Sequence, residues 1–155
     1  VGHSDNRSEG DTDIMLKSKV ENSLKNKLKI VFCIGENKTD KMKNRTFKVL
    51  KKQIENVLEK KFNHKDIIVA YEPIWSIGTG KVPEAKDLLK TTIFIKKVLK
   101  KIFKKPNSPA VLYGGSIDAE NVSQFKNLNE IDGFLIGGAS KSDKKFIDII
   151  KNYYR

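Results

Sequence analysis

The chain has a single cysteine, Cys33, so it cannot close an internal disulfide and needs no oxidising compartment. A reducing cytoplasm is the expected location. No uninterrupted apolar run is longer than Ile30 to Ile34, far short of the roughly 20 residues that span a bilayer. The N-terminus Val1-Gly2-His3-Ser4-Asp5 has no signal-peptide pattern, and no membrane insertion is expected. Two histidines and one cysteine at unrelated positions give no metal-ligand spacing. The composition also excludes an acidic disordered tail, a collagen and a disulfide scaffold. The first residue is valine and not methionine, as expected of either a non-standard start codon or a missing upstream portion.

Aromatic residues are scarce, at 8%, while lysine and arginine outnumber the acids by 31 to 19, a net charge of +12. Such a charge attracts phosphate backbones, and base-stacking aromatics normally accompany it in nucleic-acid binders. Here the two do not coincide. The lysines of Lys41 to Lys65 and Lys96 to Lys105 alternate with apolar residues at helical spacing, such as Phe47, Leu50, Ile54, Val57 and Leu58. They read as solvated outer faces of helices, and without a recognition motif no nucleic-acid partner is expected. Hydrophobic residues, 38% of 155, suffice for the core of one globular domain.

Periodicity divides the chain into alternating helices and strands without an internal boundary, so residues 1–155 are expected to form one domain. Thr12 or Asp13 caps a helix through Met15, Leu16, Val20 and Leu24, and Leu28 to Cys33 forms a strand that ends in Gly35. A second helix is predicted over about Asp40 to Lys61, then a strand over Ile67 to Tyr71. A third helix begins after Pro83, carries Leu88, Leu89, Ile93 and Ile102, and is stopped by Pro106 and Pro109. Strand Ala110 to Tyr113, a short helix over Ala119 to Lys126, strand Gly133 to Ile136 and a last helix with Phe146, Ile147 and Ile150 complete the series. Short apolar strands separated by helices signal parallel strands buried on both faces by right-handed crossovers, an α/β fold. A closed eight-stranded parallel barrel takes roughly 250 residues. The four predicted strands are about half of one, with an extra helix.

Eight of the ten glycines, namely Gly2, Gly35, Gly78, Gly80, Gly114, Gly115, Gly137 and Gly138, follow a predicted strand or its remnant. They gather at the carboxyl end of the sheet, where α/β proteins bind ligands and where a missing Cβ lets backbone N–H groups approach a phosphate. Glu72 emerges at that end, directly after Tyr71, where a carboxylate can act as a general base. Stiff Pro73-Ile74-Trp75, small Ser76-Ile77-Gly78-Thr79-Gly80 and stiff Lys81-Val82-Pro83 together have the make-up of a lid. His3, next to Gly2, offers a neutral imidazole as hydrogen-bond donor to a carbonyl or enolate. His64 enters a strand at the opposite end of the sheet and is given no role, and Cys33 reads as a buried structural thiol.

Three segments carry a resemblance: Ala70-Tyr71-Glu72-Pro73-Ile74-Trp75-Ser76-Ile77-Gly78-Thr79-Gly80-Lys81, Tyr113-Gly114-Gly115-Ser116 and Gly133-Phe134-Leu135-Ile136-Gly137-Gly138-Ala139-Ser140. Together they resemble the triosephosphate isomerase family, and Gly2-His3-Ser4 and Val31-Phe32-Cys33-Ile34-Gly35-Glu36 extend the likeness in order along the chain. The resemblance implies a TIM (β/α)8 barrel, of which this chain holds the C-terminal half to five-eighths. It also implies cofactor-free interconversion of glyceraldehyde 3-phosphate and dihydroxyacetone phosphate, a step of glycolysis and gluconeogenesis, in a cytoplasmic enzyme. Under it, Glu72 is the base that shuttles the proton and His3 the neutral electrophile. Pro73 to Lys81 is the lid, with Gly78 giving its N–H to the phosphate, and Ser116, Gly137 and Gly138 complete the phosphate cradle. Two departures accompany it. Asp5 and Asn6 stand where the family usually has Glu and Arg, and no lysine here matches the family's lysine after the first strand, which holds the substrate phosphate.

An open half barrel exposes strand edges and an apolar interior, so a missing N-terminal half or further copies of the chain are the expected partners, besides the triose phosphate. The family's dimerisation loop is absent, and its dimer is not carried over. The favoured reading is a truncated or split isomerase. The alternatives are a non-catalytic half-barrel remnant that binds anionic partners and, from a different class, another sugar-phosphate (β/α) enzyme.

Overall fold

A computed structural model describes residues 1–154. Four parallel strands lie in sequence order: β1 (Ile30–Ile34), β2 (Ile67–Tyr71), β3 (Ala110–Tyr113) and β4 (Gly133–Phe134). Six helices accompany them: α1 (Ser4–Ser8), α2 (Asp13–Lys25), α3 (Lys38–Met42), α4 (Thr46–Val57), α5 (Ala85–Phe103) and α6 (Asp143–Tyr154). Thr12 caps α2, its hydroxyl accepting from the Met15 N–H at 3.3 Å, and the αL residue Lys104, φ 51°, ends α5 ahead of Pro106 and Pro109. The whole is an α/β fold with part of a parallel barrel sheet.

The register gives the sheet two unlike faces. Ile30, Phe32 and Ile34 share a face with Ile67, Val69 and Tyr71 and with Val111 and Tyr113, and all of them are buried beneath the helices. Leu16 and Val20 of α2, Leu50, Ile54 and Val57 of α4 and Leu88, Ile95 and Leu99 of α5 pack into this layer. Each such side chain contributes about 1.5–3 kcal/mol by leaving water. On the other face Val31, Ile68, Ala110 and Leu112 are only half-buried. The expectation of strands covered by helices on both faces is therefore corrected: helices cover one face, and on the side that would line a barrel interior Cys33 and Ala70 are buried while the other strand residues stay partly exposed.

Four local expectations also change. The helix expected over Asp40 to Lys61 is broken at Asn44, which takes φ 53°, and α4 ends at Val57, where Leu58 turns extended. The helix expected over Ala119 to Lys126 is a single 3-10 turn, Val122–Phe125. The ladder of β4 is two residues long, although the Leu135 N–H still reaches the Tyr113 carbonyl at 2.9 Å. In α6 the buried residue is Ile149, whereas Phe146, Ile147 and Ile150 form an exposed stripe. On the far edge of the sheet Val1 lies along β1, its amine donating to the Val31 carbonyl and its carbonyl accepting from the Cys33 N–H. No helix of the described residues is long and apolar enough to cross a membrane.

Candidate active site

Glu72 is the first residue beyond β2, held by its N–H on the Ile34 carbonyl at 2.7 Å. Its two flanks are glycines of necessity. A Cβ on Gly35 would lie 1.8 Å from the Glu72 carbonyl oxygen, and one on Gly114 would lie 2.7 Å from the Glu72 Cγ. Gly35 is fixed in turn by the Gln53 side-chain amide, which accepts from its N–H at 2.9 Å and donates to its carbonyl at 3.0 Å. The carboxylate is thus pressed between two strand ends and buried, and its Oε2 has no hydrogen-bond partner among the described residues. Burial pushes its pKa above the ordinary carboxylate value; the facing His3 and the Cys33 thiol, a donor to the ionised form, pull the other way. An orphaned, desolvated carboxylate is a stronger base than one in water.

His3 sits between Gly2, at φ 82°, and α1, which it caps. The Asp5 N–H donates to Nδ1 at 3.2 Å, which leaves the ring proton on Nε2, and Nε2 faces Glu72 Oε1 at 3.8 Å. The Asp5 carboxylate, 82% exposed, also lies 3.5 Å from Nδ1.

A cavity of about 570 Å³ brings His3, Glu72, Gly78, Ser116, Gly137 and Gly138 together at the carboxyl end of the sheet, with Ile77 and Gly80 of the expected lid beside them. A Cβ on Gly78, Gly137 or Gly138 would meet nothing within 4 Å, so these loops leave open space along their backbone. No lysine or arginine lines the cavity among the described residues. The other lid residues, Pro73, Ile74, Trp75, Ser76, Thr79 and Lys81, do not reach it. Pro73 and Ser76 are buried at the base of the segment, Trp75 donates from Nε1 to Glu36 at 2.9 Å, Thr79 donates to the Trp75 carbonyl, and Ile74 and Lys81 face outward. Ser116 ties the segment down, donating to the Ser76 carbonyl at 2.7 Å and accepting from the Gly80 N–H at 3.3 Å. Among the described residues no group of three His, Cys, Asp or Glu side chains could hold a metal ion.

Two contributors escape a reading of the sequence. Glu36, fully buried, receives the Tyr71 hydroxyl at 3.1 Å and the Trp75 indole, and so anchors the start of the 73–81 segment. An acid one residue after Gly35 at a strand end was the available signal. Arg7 donates to the Gly2 carbonyl at 2.9 Å, reaches the Cys33 carbonyl at 3.5 Å and pairs with Asp13 at 3.1 Å, which fastens the His3 segment to β1. Its place directly after the Gly2-His3-Ser4-Asp5-Asn6 stretch was the available signal. Cys33 is buried, its thiol pushed up to about 12 by burial and then by Glu72, and is no nucleophile. His64 lies in the turn before β2, away from the cavity.

The model of the triosephosphate isomerase family matches residues 1–153. The chain is 37% identical over 153 residues to the triosephosphate isomerase of Thermodesulfovibrio yellowstonii, covering 97% of this chain and 62% of that one. It is 40% identical over 155 residues to that of Ruthia magnifica, covering 97% and 62%. With the enzyme of Yarrowia lipolytica it shares 34% over 154 residues, covering 98% and 62%. The chain thus spans about 62% of the length of these relatives. It belongs to the triosephosphate isomerase family.

Proposed function

We propose that this chain is the catalytic portion of a triosephosphate isomerase, interconverting glyceraldehyde 3-phosphate and dihydroxyacetone phosphate by proton transfer through an enediolate. The observation that carries the reading is the buried Glu72 carboxylate, its Oε2 without a hydrogen-bond partner among the described residues, beside His3, whose Nε2 lies 3.8 Å from Oε1 in the same cavity. Glu72 removes a proton from the carbon next to the carbonyl, and the electrons move onto the carbonyl oxygen. Nε2 of His3 spans the two oxygens, giving its proton to the new oxyanion and taking the hydroxyl proton of the neighbouring oxygen, so that the oxygen-bound proton moves across as the carbonyl does. Glu72 then returns the proton to the neighbouring carbon, so the reaction is redox-neutral and uses no cofactor. Backbone N–H groups at Gly78, Gly137 and Gly138, with the Ser116 region, cradle the phosphate, and Pro73 to Lys81 shut water out while the enediolate exists.

Among the described residues the cavity walls supply no cation for the phosphate dianion, and the half-exposed row Val31, Ile68, Ala110 and Leu112 is apolar. Both favour a complement, a segment or second chain that adds parallel strands and a lysine. The test mixes this chain with the part of the Thermodesulfovibrio relative that lies outside the 62% matched by this chain. The expected result is turnover of glyceraldehyde 3-phosphate well above that of either piece. A mixture that forms a stable complex without turnover overturns the reading and favours a non-catalytic half barrel.

A further inference from the structure

Ser76 is fully buried, yet it lies within the segment assigned as the lid. Its hydroxyl is 2.5 Å from the carbonyl of Lys81, near the other end of that segment, and 3.1 Å from the Tyr113 hydroxyl at the end of β3. A carbonyl only accepts, so the one proton of Ser76 goes to Lys81, and Tyr113 must be the donor to Ser76 Oγ. The direction of the relay is therefore determined: Tyr113 O–H to Ser76 Oγ, Ser76 O–H to Lys81 O. Burial holds the Tyr113 phenol up at about 12, so it keeps its donor proton at any working pH. The neighbouring backbone makes room for this pair. A Cβ on Gly115 would stand 2.1 Å from the Tyr113 hydroxyl and 2.7 Å from Ser76 Oγ.

We propose that Ser76 is a positioning residue that clasps the two stems of the lid to each other and to β3, so that the shut lid, and with it the Gly78 N–H at the cavity, is held by the relay from Tyr113 through Ser76 to Lys81. The proposal rests on reading residues 73–81 as the lid, and its test involves no turnover. Amide hydrogen exchange is followed across residues 74–82 in the chain and in Ser76→Ala, Tyr113→Phe and the double variant, with and without saturating inorganic phosphate. Tyr113→Phe is expected to speed lid exchange about tenfold, the effect of one lost hydrogen bond, and Ser76→Ala, which removes both, by more than that, while β2 and β3 keep their rates. The double variant is expected to add little, because both hydroxyls serve one relay. Phosphate is expected to restore protection in Ser76→Ala by binding the shut lid. Unchanged lid exchange in the single variants overturns the clasp. So do faster exchange through β2 and β3, which would make Ser76 a packing residue, and full additivity in the double variant. None of these outcomes bears on whether Glu72 is the base.

Discussion

Glu72 Oε1 and His3 Nε2 stand 3.8 Å apart, too far to share a proton and near enough that both can touch one small molecule. The pair is assembled from two strand ends. Glu72 is set by the β1 and β3 glycines on its flanks, and His3 by α1 and by Arg7. Their spacing and the burial of the carboxylate govern how the pair titrates and reacts.

Glu72 should make the chain less stable as pH rises. Its native carboxyl titrates above 4.5, so between that pH and its raised value the folded state holds the proton more tightly than the unfolded one. Stability is then lost as pH rises through this window and is flat above it. Urea midpoints from pH 4 to pH 8 should show this fall in the chain and a much flatter profile in Glu72→Gln. Equal profiles would show that burial does not burden the carboxylate.

Cys33 should be inert while the chain is folded. A thiol at about 12 in place of 9.0 carries ~10³-fold less thiolate near neutral pH, and the thiolate is the reactive form. Labelling with a thiol reagent should therefore proceed at the rate of unfolding and speed up steeply in urea. Fast labelling of the native chain would place the thiol at the surface and remove one of the groups acting on Glu72.

Arg7→Met should loosen the His3 segment without removing any group from the cavity. The guanidinium alone joins the Gly2 carbonyl to Cys33 and Asp13. A displacement of the imidazole by about 1 Å is worth roughly 10²-fold in turnover. In the reconstituted enzyme kcat should drop on that scale with KM nearly unchanged. A change confined to KM would assign Arg7 to substrate binding.

The glycines and Glu72 were legible because their signal is local: a short apolar run, then a residue whose neighbours cannot carry a Cβ. Strands β2 and β3 were legible to the residue for the same reason. The break at Asn44 was not, since an αL residue within a run of good helix formers gives no warning in composition. Glu36 and Arg7 act through partners 35 and 26 positions away in the chain, Tyr71 and Cys33, which a single sequence does not join. The one-sided cover of the sheet was hidden too, because Val31 and Ile68 are as apolar as the buried row beside them.

Gly35→Ala should disrupt the β1–β2 junction rather than the cavity wall. The new methyl would overlap the Glu72 carbonyl at 1.8 Å, and backbone cannot yield as a flexible side chain does. A loss of several kcal/mol in unfolding free energy is expected, at the upper end of single-residue effects. A variant within about 1 kcal/mol of the parent, an ordinary surface effect, would mean that the close approach is not maintained in solution.

The most direct test of the account is the turnover of glyceraldehyde 3-phosphate by the reconstituted enzyme with Glu72→Gln in place of the parent chain, at equal complex concentration. If Glu72 is the base, kcat falls by at least ~10²-fold while the affinity for inorganic phosphate stays unchanged, because the amide keeps the shape and cannot take the proton. Full turnover by Glu72→Gln would contradict the account, since the proton would then be moving through some other group.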